Sequence, residues 1–190
     1  YTTGSAVKVA YKSGGSWLTE TVATVTPGCD VAIACSGARI AVAFRDAAKN
    51  VKVSYTSTVG MGSWSAAVTA YTTTRDYALV DSMVWTGSEF RLVVVPSNSG
   101  GTACDVILLT SSDATSWTST TVASAISGEY AHASVTGAGV LYAAKGSSSS
   151  LKFWNGASTE TMGTADVPAS QPVGPSVFLL GSSDPWALYY

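Results

Sequence analysis

Short runs of apolar and β-branched residues alternate with polar turns along the whole chain. The runs are five to eight residues long, are rich in Val, Ala, Ile, Tyr and Thr, and end at Gly, Ser, Asn or Asp. Such runs are typical of β-strands. No segment keeps apolar residues at helical spacing over more than two turns, because Gly, Ser and Thr interrupt each candidate. The pattern predicts an all-β chain.

Two interleaved repeats divide the predicted strands into four units. In one repeat, a hairpin turn with a central glycine lies between two apolar runs. The central glycines are Gly37, Gly87, Gly137 and, in a looser copy, Gly181. In the other repeat, an apolar run leads through a turn, usually to a Trp. Those runs begin at Val7, Val51, Asp105 and Leu151. Four short strands in about 45 to 50 residues are typical of one blade of a β-propeller.

One turn resembles a motif of a known family. The segment Ser111-Ser112-Asp113-Ala114-Thr115-Ser116-Trp117 resembles the Asp-box, the Ser-x-Asp-x-Gly-x-Thr-Trp turn of sialidase-like (BNR) propellers. Residues 13–17 and 57–64 look like degenerate copies. The resemblance implies that the box joins the third and fourth strands of a blade. It also implies that Asp113 caps its own turn and that Trp117 packs between blades.

Applied to the whole chain, the resemblance implies blades at residues 31–71, 78–125 and 130–163. Residues 174–190 then supply only an inner hairpin, and residues 7–25 only an outer one. Pairing of 185–190 with 7–11 would complete a fourth blade and close a single four-bladed domain over residues 1–190. A segment of a larger propeller and a two-sheet β-sandwich remain alternatives.

Composition narrows the classes of function. Charged residues make up 12% of the chain, the net charge is -2, and the Lys and Arg residues are dispersed. A nucleic-acid-binding protein needs a basic stripe, so this class is excluded. No apolar run is long enough for membrane insertion. Because the chain starts at Tyr1 rather than Met, we expect a processed product. A surface rich in Ser and Thr predicts an extracellular, secreted protein, with a virion surface as the alternative location.

Two groups of side chains are candidates for a ligand site on the face where the chain enters each inner strand. An acidic or amide residue recurs there, as Asp30, Asp76, Glu129 and Gln171. These oxygens could hold calcium or sodium at the channel mouth, or each could cap its strand and face water. No other cofactor is expected. Tyrosines lie on the same face, at Tyr1, Tyr71, Tyr77, Tyr130 and Tyr190. Sugar rings stack on such aromatics, although a tyrosine with a wet hydroxyl is also normal at a strand end.

Enzymatic activity is not expected. The resemblance implies that a sialidase would need an arginine triad, but Arg39 and Arg91 fall near the hairpin turns and Arg45 near the opposite face. A glycosidase needs two carboxyls in different environments, and nothing distinguishes Asp30, Asp76 and Glu129. The chain has one histidine, His132, which argues against a His-based triad or zinc site and is expected to be a partnered core residue.

The cysteines and tryptophans are assigned structural roles. Cys29 and Cys104 are expected on one face and are predicted to form a disulfide in an oxidising compartment, with Cys35 buried and free; three reduced thiols are the alternative. Packing between blades is expected for a set of five tryptophans. They are Trp17, Trp64, Trp85, Trp117 and Trp186.

Two functions follow as hypotheses. The first is a non-catalytic extracellular module that recognises a glycan or a cell-surface receptor. The second is a structural propeller subunit, in a homo-oligomer, a filament, a virion or another extracellular assembly. Turns like residues 111–118 also resemble propeller segments of phage tail and fibre proteins and of secreted bacterial surface proteins.

Overall fold

The computed structural model describes residues 1–25, 29–58, 60, 63–98, 103–126, 131–144, 150–164, 176–180 and 184–188. Within these residues the chain is all-β and contains no helix, as the sequence predicts. The described part accordingly has no helix that could span a membrane.

Five antiparallel sheets follow one another along the chain, and neighbours in each sheet are consecutive strands. Sheet 1 consists of β1 (Thr2–Thr3), β2 (Ala6–Ser13) and β3 (Ser16–Thr24). Sheet 2 consists of β4 (Val31–Cys35), β5 (Ile40–Arg45), β6 (Val51–Thr56) and β7 (Val68–Tyr71). Sheet 3 consists of β8 (Tyr77–Trp85), β9 (Phe90–Ser97), β10 (Cys104–Ser111) and β11 (Thr118–Ile126). Sheet 4 consists of β12 (Ala131–Val135), β13 (Val140–Ala144), β14 (Ser150–Trp154) and β15 (Thr159–Thr164). Sheet 5 is the hairpin β16 (Ser176–Leu180) and β17 (Asp184–Leu188).

The sheets are arranged as blades of a β-propeller. Sheets 2, 3 and 4 are four-stranded meanders whose bounds lie within one residue of the blades at 31–71, 78–125 and 130–163. From sheet 2 onwards, the first strand of one sheet contacts the first strand of the next, in the order β4, β8, β12 and β16. These strands are therefore the inner strands of successive blades.

The blades are held together by side chains from both faces of each sheet. In β5, Ala41 and Ala43 pack towards sheet 3, while Val42 and Phe44 pack towards sheet 1. All four side chains are buried, and Val42, the most exposed of them, is only 3% exposed. β9 alternates in the same way. Leu92 and Val94 pack towards sheet 2, whereas Val93 and Val95 pack towards sheet 4. Such near-continuous apolar strands are typical of sheets that are buried on both faces.

A β-bulge recurs between the two outer strands of the blades. The register shifts between Val7 and Lys8 in sheet 1, between Val51 and Lys52 in sheet 2, and between Leu151 and Lys152 in sheet 4. Sheet 3 has shifts on both sides of Val106. Bulges increase the local twist of a strand pair, so each blade twists at the same place.

Asp113 caps its own turn and Trp117 packs between sheets, as the sequence predicts. The Asp113 carboxylate accepts hydrogen bonds from the backbone N–H groups of Thr115 at 2.9 Å and Ser116 at 3.2 Å. Ala114 has a φ of 62°, and its carbonyl accepts a hydrogen bond from the Trp117 indole. Trp117 packs into the core between sheets 2 and 3. The hydrogen bonds to the charged carboxylate, led by that from the Thr115 hydroxyl, lower the pKa of Asp113.

The predicted closing ladder between residues 185–190 and 7–11 is not formed in the described part of the chain. There, β17 pairs only with β16, and β2 pairs with β3 and β1. The chain start folds back at Gly4 (φ 53°), so that Thr2 and Thr3 pair with Val7 and Ala6. Tyr1 and Lys8 also exchange backbone hydrogen bonds. The first residues of β2 therefore already have a partner, and sheets 1 and 5 remain separate.

Replacing Asp113 with Ala should lower the free energy of unfolding by about 1–2 kcal/mol, because the turn loses its charged cap. The loss should shrink as the pH falls below the ordinary aspartate value of 3.8, since only the ionised carboxylate stabilises the fold. Urea unfolding at several pH values measures both effects. Ser112→Ala in the same turn is the control, because Ser112 is exposed. Equal losses in the two variants would show that the cap contributes nothing.

Candidate functional site

The strand connections lie on two opposite faces of the propeller. The connection face carries the links into each inner strand and the links between second and third strands. The hairpin face carries the glycine turns and the Asp113 turn.

A polar site lies on the connection face, between sheets 2 and 3. Arg75, in the link from β7 to β8, donates from Nε and a terminal nitrogen to the two Asp105 oxygens, at 2.6 and 2.7 Å. Asp105 belongs to β10 and also accepts the Ala125 N–H at 2.8 Å. Tyr71, the last residue of β7, is half-buried and close enough for its hydroxyl to interact electrostatically with both. This Tyr71–Arg75–Asp105 site brings an aromatic ring, a guanidinium and a carboxylate together.

The Tyr71–Arg75–Asp105 site keeps its charges at neutral pH. Burial raises the pKa of Asp105, but the hydrogen bonds from Arg75 and Ala125 outweigh it, so its pKa is lowered. The hydrogen bond to Asp105 raises the pKa of Arg75. Burial raises the pKa of Tyr71, whose hydroxyl stays protonated and able to donate. The site can therefore offer both donors and acceptors to a neutral polar ligand.

A second polar group lies at the inner strands of sheets 3 and 4. The His132 Nδ1 is 3.4 Å from Asp81 Oδ1, and the other Asp81 oxygen accepts the Ala133 N–H at 2.8 Å. The Ser82 hydroxyl accepts the Val135 N–H at 2.9 Å. A β-bulge at Asp81 directs these side chains towards β12. Asp81 and Ser82 thus accept hydrogen bonds from backbone N–H groups of β12. These groups lie on the edge of β12 that has no partner strand within sheet 4.

Protonation couples this group to Asp30. The hydrogen bond to Asp81 raises the pKa of His132 above its usual 6.5. Burial, and then the nearby charge of Asp81, raise the pKa of Asp30, while Arg45 opposes the shift. The sequence analysis missed Asp81. The signal was present, since Asp81-Ser82 is a polar pair inside an otherwise apolar run.

The described members of the predicted tyrosine set belong to sheets 1, 2 and 3. Tyr1 is 51% exposed at the start of sheet 1, whereas Tyr71 lies beside Arg75 between sheets 2 and 3. Tyr77 is half-buried at the start of β8. Tyr130 and Tyr190 lie outside the described residues. The predicted tyrosine site therefore stays a prediction.

The predicted cation site stays a prediction. Asp30 is half-buried and Asp76 is exposed, while Glu129 and Gln171 lie outside the described residues. Among the residues that the structure describes, no three His, Cys, Asp or Glu side chains are grouped so that they could hold a metal ion.

Three of the four arginines bind different structural partners. Arg39 stacks on the Tyr55 ring, 4.7 Å from its centroid, and donates to the Asp113 carbonyl of the next sheet. Arg91 donates to the Gly137 carbonyl of the next sheet at 2.9 Å. Arg75 binds Asp105 on the opposite face. Arg39 and Arg91 thus each bridge to the following sheet on the hairpin face, and Arg75 belongs to the polar site on the connection face.

The predicted Cys29–Cys104 disulfide is not present, because the structure has all three cysteines as free thiols. Cys29 packs in the core between sheets 1 and 2, and Cys104 in the core between sheets 3 and 4, so separate interfaces hold them. Burial raises the pKa of Cys104 to about 11. Cys35 is exposed, contrary to the prediction that it would be buried.

Comparisons with known proteins give fold neighbours only. No family model matches the sequence, and no curated protein matches it. Among solved structures, the SapL1 lectin in complex with α-methyl fucoside is 16% identical, with a TM-score of 0.62 over 98% of this chain and 65% of that one. A mutant of the Aleuria aurantia lectin AAL, in complex with Fucα1-6GlcNAc, is 14% identical, with a TM-score of 0.64 over 98% and 64%.

An enzyme is also among the neighbours. Zg3597, a family 117 glycoside hydrolase produced by the marine bacterium Zobellia galactanivorans, is 15% identical, with a TM-score of 0.53 over 89% of this chain and 57% of that one. The chain spans 64–65% of the length of the two lectins described above. At these identities the comparisons show the fold, which is the β-propeller of these lectins.

The Asp81–His132 contact should make stability depend on pH. Because the folded pKa of His132 lies above the ordinary 6.5, its contribution is complete below that value and is lost as pH rises through the folded pKa. His132 is the chain's single histidine, so one set of imidazole NMR signals reports its titration. We expect a pKa above 6.5 that falls in Asp81→Asn. An unchanged pKa in that variant would contradict the assignment.

Thiol labelling should separate the three cysteines. Cys35 should react within minutes in the native protein, whereas Cys29 and Cys104 should react only after unfolding, because both are buried. Mass spectrometry after a pulse of iodoacetamide, with and without urea, measures the sites. Cys35→Ser should abolish the native labelling. Rapid native labelling of Cys104 would contradict its position in the core.

Proposed function

We propose that this chain is a non-catalytic glycan-binding module that acts outside the cell. The observation that carries the proposal is the Tyr71–Arg75–Asp105 site on a fold shared with lectins that were solved with fucosides. A sugar presents C–H faces that stack on aromatic rings, and hydroxyls that both donate and accept hydrogen bonds. The site offers partners for each of these.

The site has the fixed geometry that a weak polar ligand requires. The paired hydrogen bonds between Arg75 and Asp105 hold both side chains in one orientation, which reduces the entropy lost when a ligand binds. The site also joins two sheets, and junctions of this kind commonly form ligand sites. The remaining donors of Arg75 and the Tyr71 hydroxyl can bond adjacent hydroxyls of one sugar ring.

The proposal includes no catalytic step. Hydrolysis of a glycoside requires two carboxyls with different roles on either side of the bond. At this site, one carboxylate is paired with an arginine and its pKa is lowered. Asp105 is therefore suited to accept hydrogen bonds and not to donate a proton.

A structural role in an extracellular assembly is the second candidate function. The observation that favours it is an exposed apolar surface on sheet 1, where Trp17 is 71% exposed. Large exposed side chains of this kind mark interaction surfaces when they are grouped. The two functions can coexist, since Trp17 and Tyr71 belong to different sheets.

A glycan array that includes fucosylated oligosaccharides tests the first function. Tyr71→Ala should weaken binding to the glycans that are recognised by at least about tenfold, because the stacking surface is removed. Tyr71→Phe, which keeps the ring, should retain more affinity than Tyr71→Ala. Tyr1→Ala, at an exposed tyrosine of sheet 1, is the control.

Two results would contradict this assignment. An array on which no glycan exceeds background would reject glycan binding. Equal affinity of wild type and Tyr71→Ala would place the ligand elsewhere, and a loss confined to Tyr1→Ala would place it at sheet 1.

A further inference from the structure

Among the described residues, one side of sheet 1 has no neighbour of the kind that covers the corresponding side of sheets 2, 3 and 4. The open side of sheet 1 carries Lys8, Ala10, Lys12 and Trp17. These side chains point away from sheet 2, because Val7 and Val9, which alternate with the first three along β2, pack towards it. Beside it is a groove of about 200 Å³ between sheets 1 and 2. Its walls include Tyr1, Val9 and Ala10 from sheet 1 and Val31, Ile33 and Val42 from sheet 2.

Equivalent positions in the other blades show what the groove lacks. Ile33, Met83 and Ala133 have the same place in β4, β8 and β12, since each pairs with the third residue of the following strand. Met83 is 9% exposed and Ala133 is 4% exposed, because inner strands of the preceding blade help to cover them. Ile33 is 53% exposed. The groove is therefore the place of a missing pair of inner strands.

The tryptophans give the same result at the outer strands. Trp64 packs in the core between sheets 1 and 2, and Trp117 in the core between sheets 2 and 3, each against the preceding sheet. Trp17 follows the corresponding turn of sheet 1 but is 71% exposed. The expected packing of Trp17 is thus wrong for the described chain, and the reason is that no preceding blade covers it.

The groove also contains an open strand edge. One edge of β2 pairs with β1 and with Tyr1, but only as far as Lys8. From Val9 to Ser13, that edge has no ladder partner in the described residues. An open edge beside an apolar wall accepts an added β-strand. The occupant that fits is therefore a β-hairpin with an apolar face.

Sheet 5 has the complementary defect. It is an inner hairpin whose first strand continues the series of inner strands after β12, and it has no outer strands of its own among the described residues. Sheet 1 has outer strands but no inner hairpin. Each is half of a blade, and within the part of the chain that the structure describes the two halves do not pair.

The far side of sheet 4 also matches the open side of sheet 1. Glu20, opposite Val9, reaches from sheet 1 to sheet 2 and accepts the N–H of Gly60 at 2.8 Å. Glu160 has the same position in sheet 4, opposite Phe153, and is exposed. The turn of sheet 1 that corresponds to the Gly60 turn of sheet 2 contains Gly14 and Gly15. Their φ values are 56° and 87°, and that of Gly60 is 91°. Sheet 4 can therefore contact a sheet 1 as sheet 1 contacts sheet 2.

We propose that a second copy of this chain docks on the open side of sheet 1, with its β16–β17 hairpin in the groove beside β2. Two such junctions would join two copies head to tail in a closed ring. Each copy has three complete sheets and two half-blades, so the ring would have eight blades, at the upper end of the roughly four to eight usual for propellers.

Light scattering after gel filtration tests the proposal. From about 1 to about 100 µM, the wild type should have a mass of twice 19.4 kDa. Trp17→Arg and Ile33→Arg should each weaken the dimer by at least about tenfold, because a charge is placed in the buried junction. Both residues are exposed in one chain, so the variants should fold, which circular dichroism checks.

Leu18→Arg is the matched control. Leu18 adjoins Trp17 and is 45% exposed, but it lies opposite Tyr11 and so on the side of sheet 2. This variant should remain dimeric. A monomeric wild type throughout the range would overturn the proposal and favour a ring closed within one chain. A dimer that persists in both Trp17→Arg and Ile33→Arg would place the contact on another surface.

Discussion

Packing between neighbouring sheets is the interaction on which this structure depends. Each complete sheet is apolar on both faces, so that Ala41 and Ala43 need one neighbour and Val42 and Phe44 need another. Burial of apolar surface is the dominant favourable term in folding, and a single two-faced sheet cannot supply it alone. The blades therefore stabilise one another in series. Where no preceding strands cover them in the described residues, Trp17 of sheet 1 and Ile33 of sheet 2 stay exposed.

This constraint also decides where polar chemistry can occur. The described sheet interiors have little room for charge, so the charged contacts lie at the two rims and at the inner strands. Arg39 and Arg91 connect adjacent blades on the hairpin face, and Arg75 contributes to the candidate site on the connection face. A site of this kind is an outcome of blade packing, because Tyr71 and Asp105 come from different sheets.

Features that depend on local sequence were predictable. The strands follow from alternation and turn residues, and the blade frame follows from the repeats. The capped Asp113 turn could be assigned because its donors, Thr115 and Ser116, are within three residues of the carboxylate. Within the candidate site, Tyr71 was named in advance. Its partners were not, because Arg75 and Asp105 are thirty residues apart.

The sequence by itself determined the all-β class, the order of the strands and the hairpin chemistry, since these depend on residues that are close in the chain. Only the tertiary structure decided which repeated positions are covered. Trp17 and Trp64 follow similar turns, yet one is exposed and the other packs between sheets. The contact of Asp81 with His132 and the separation of Cys29 from Cys104 were decided in the same way. The physical reason is that burial and charge pairing depend on the neighbouring sheet, which the repeat does not specify.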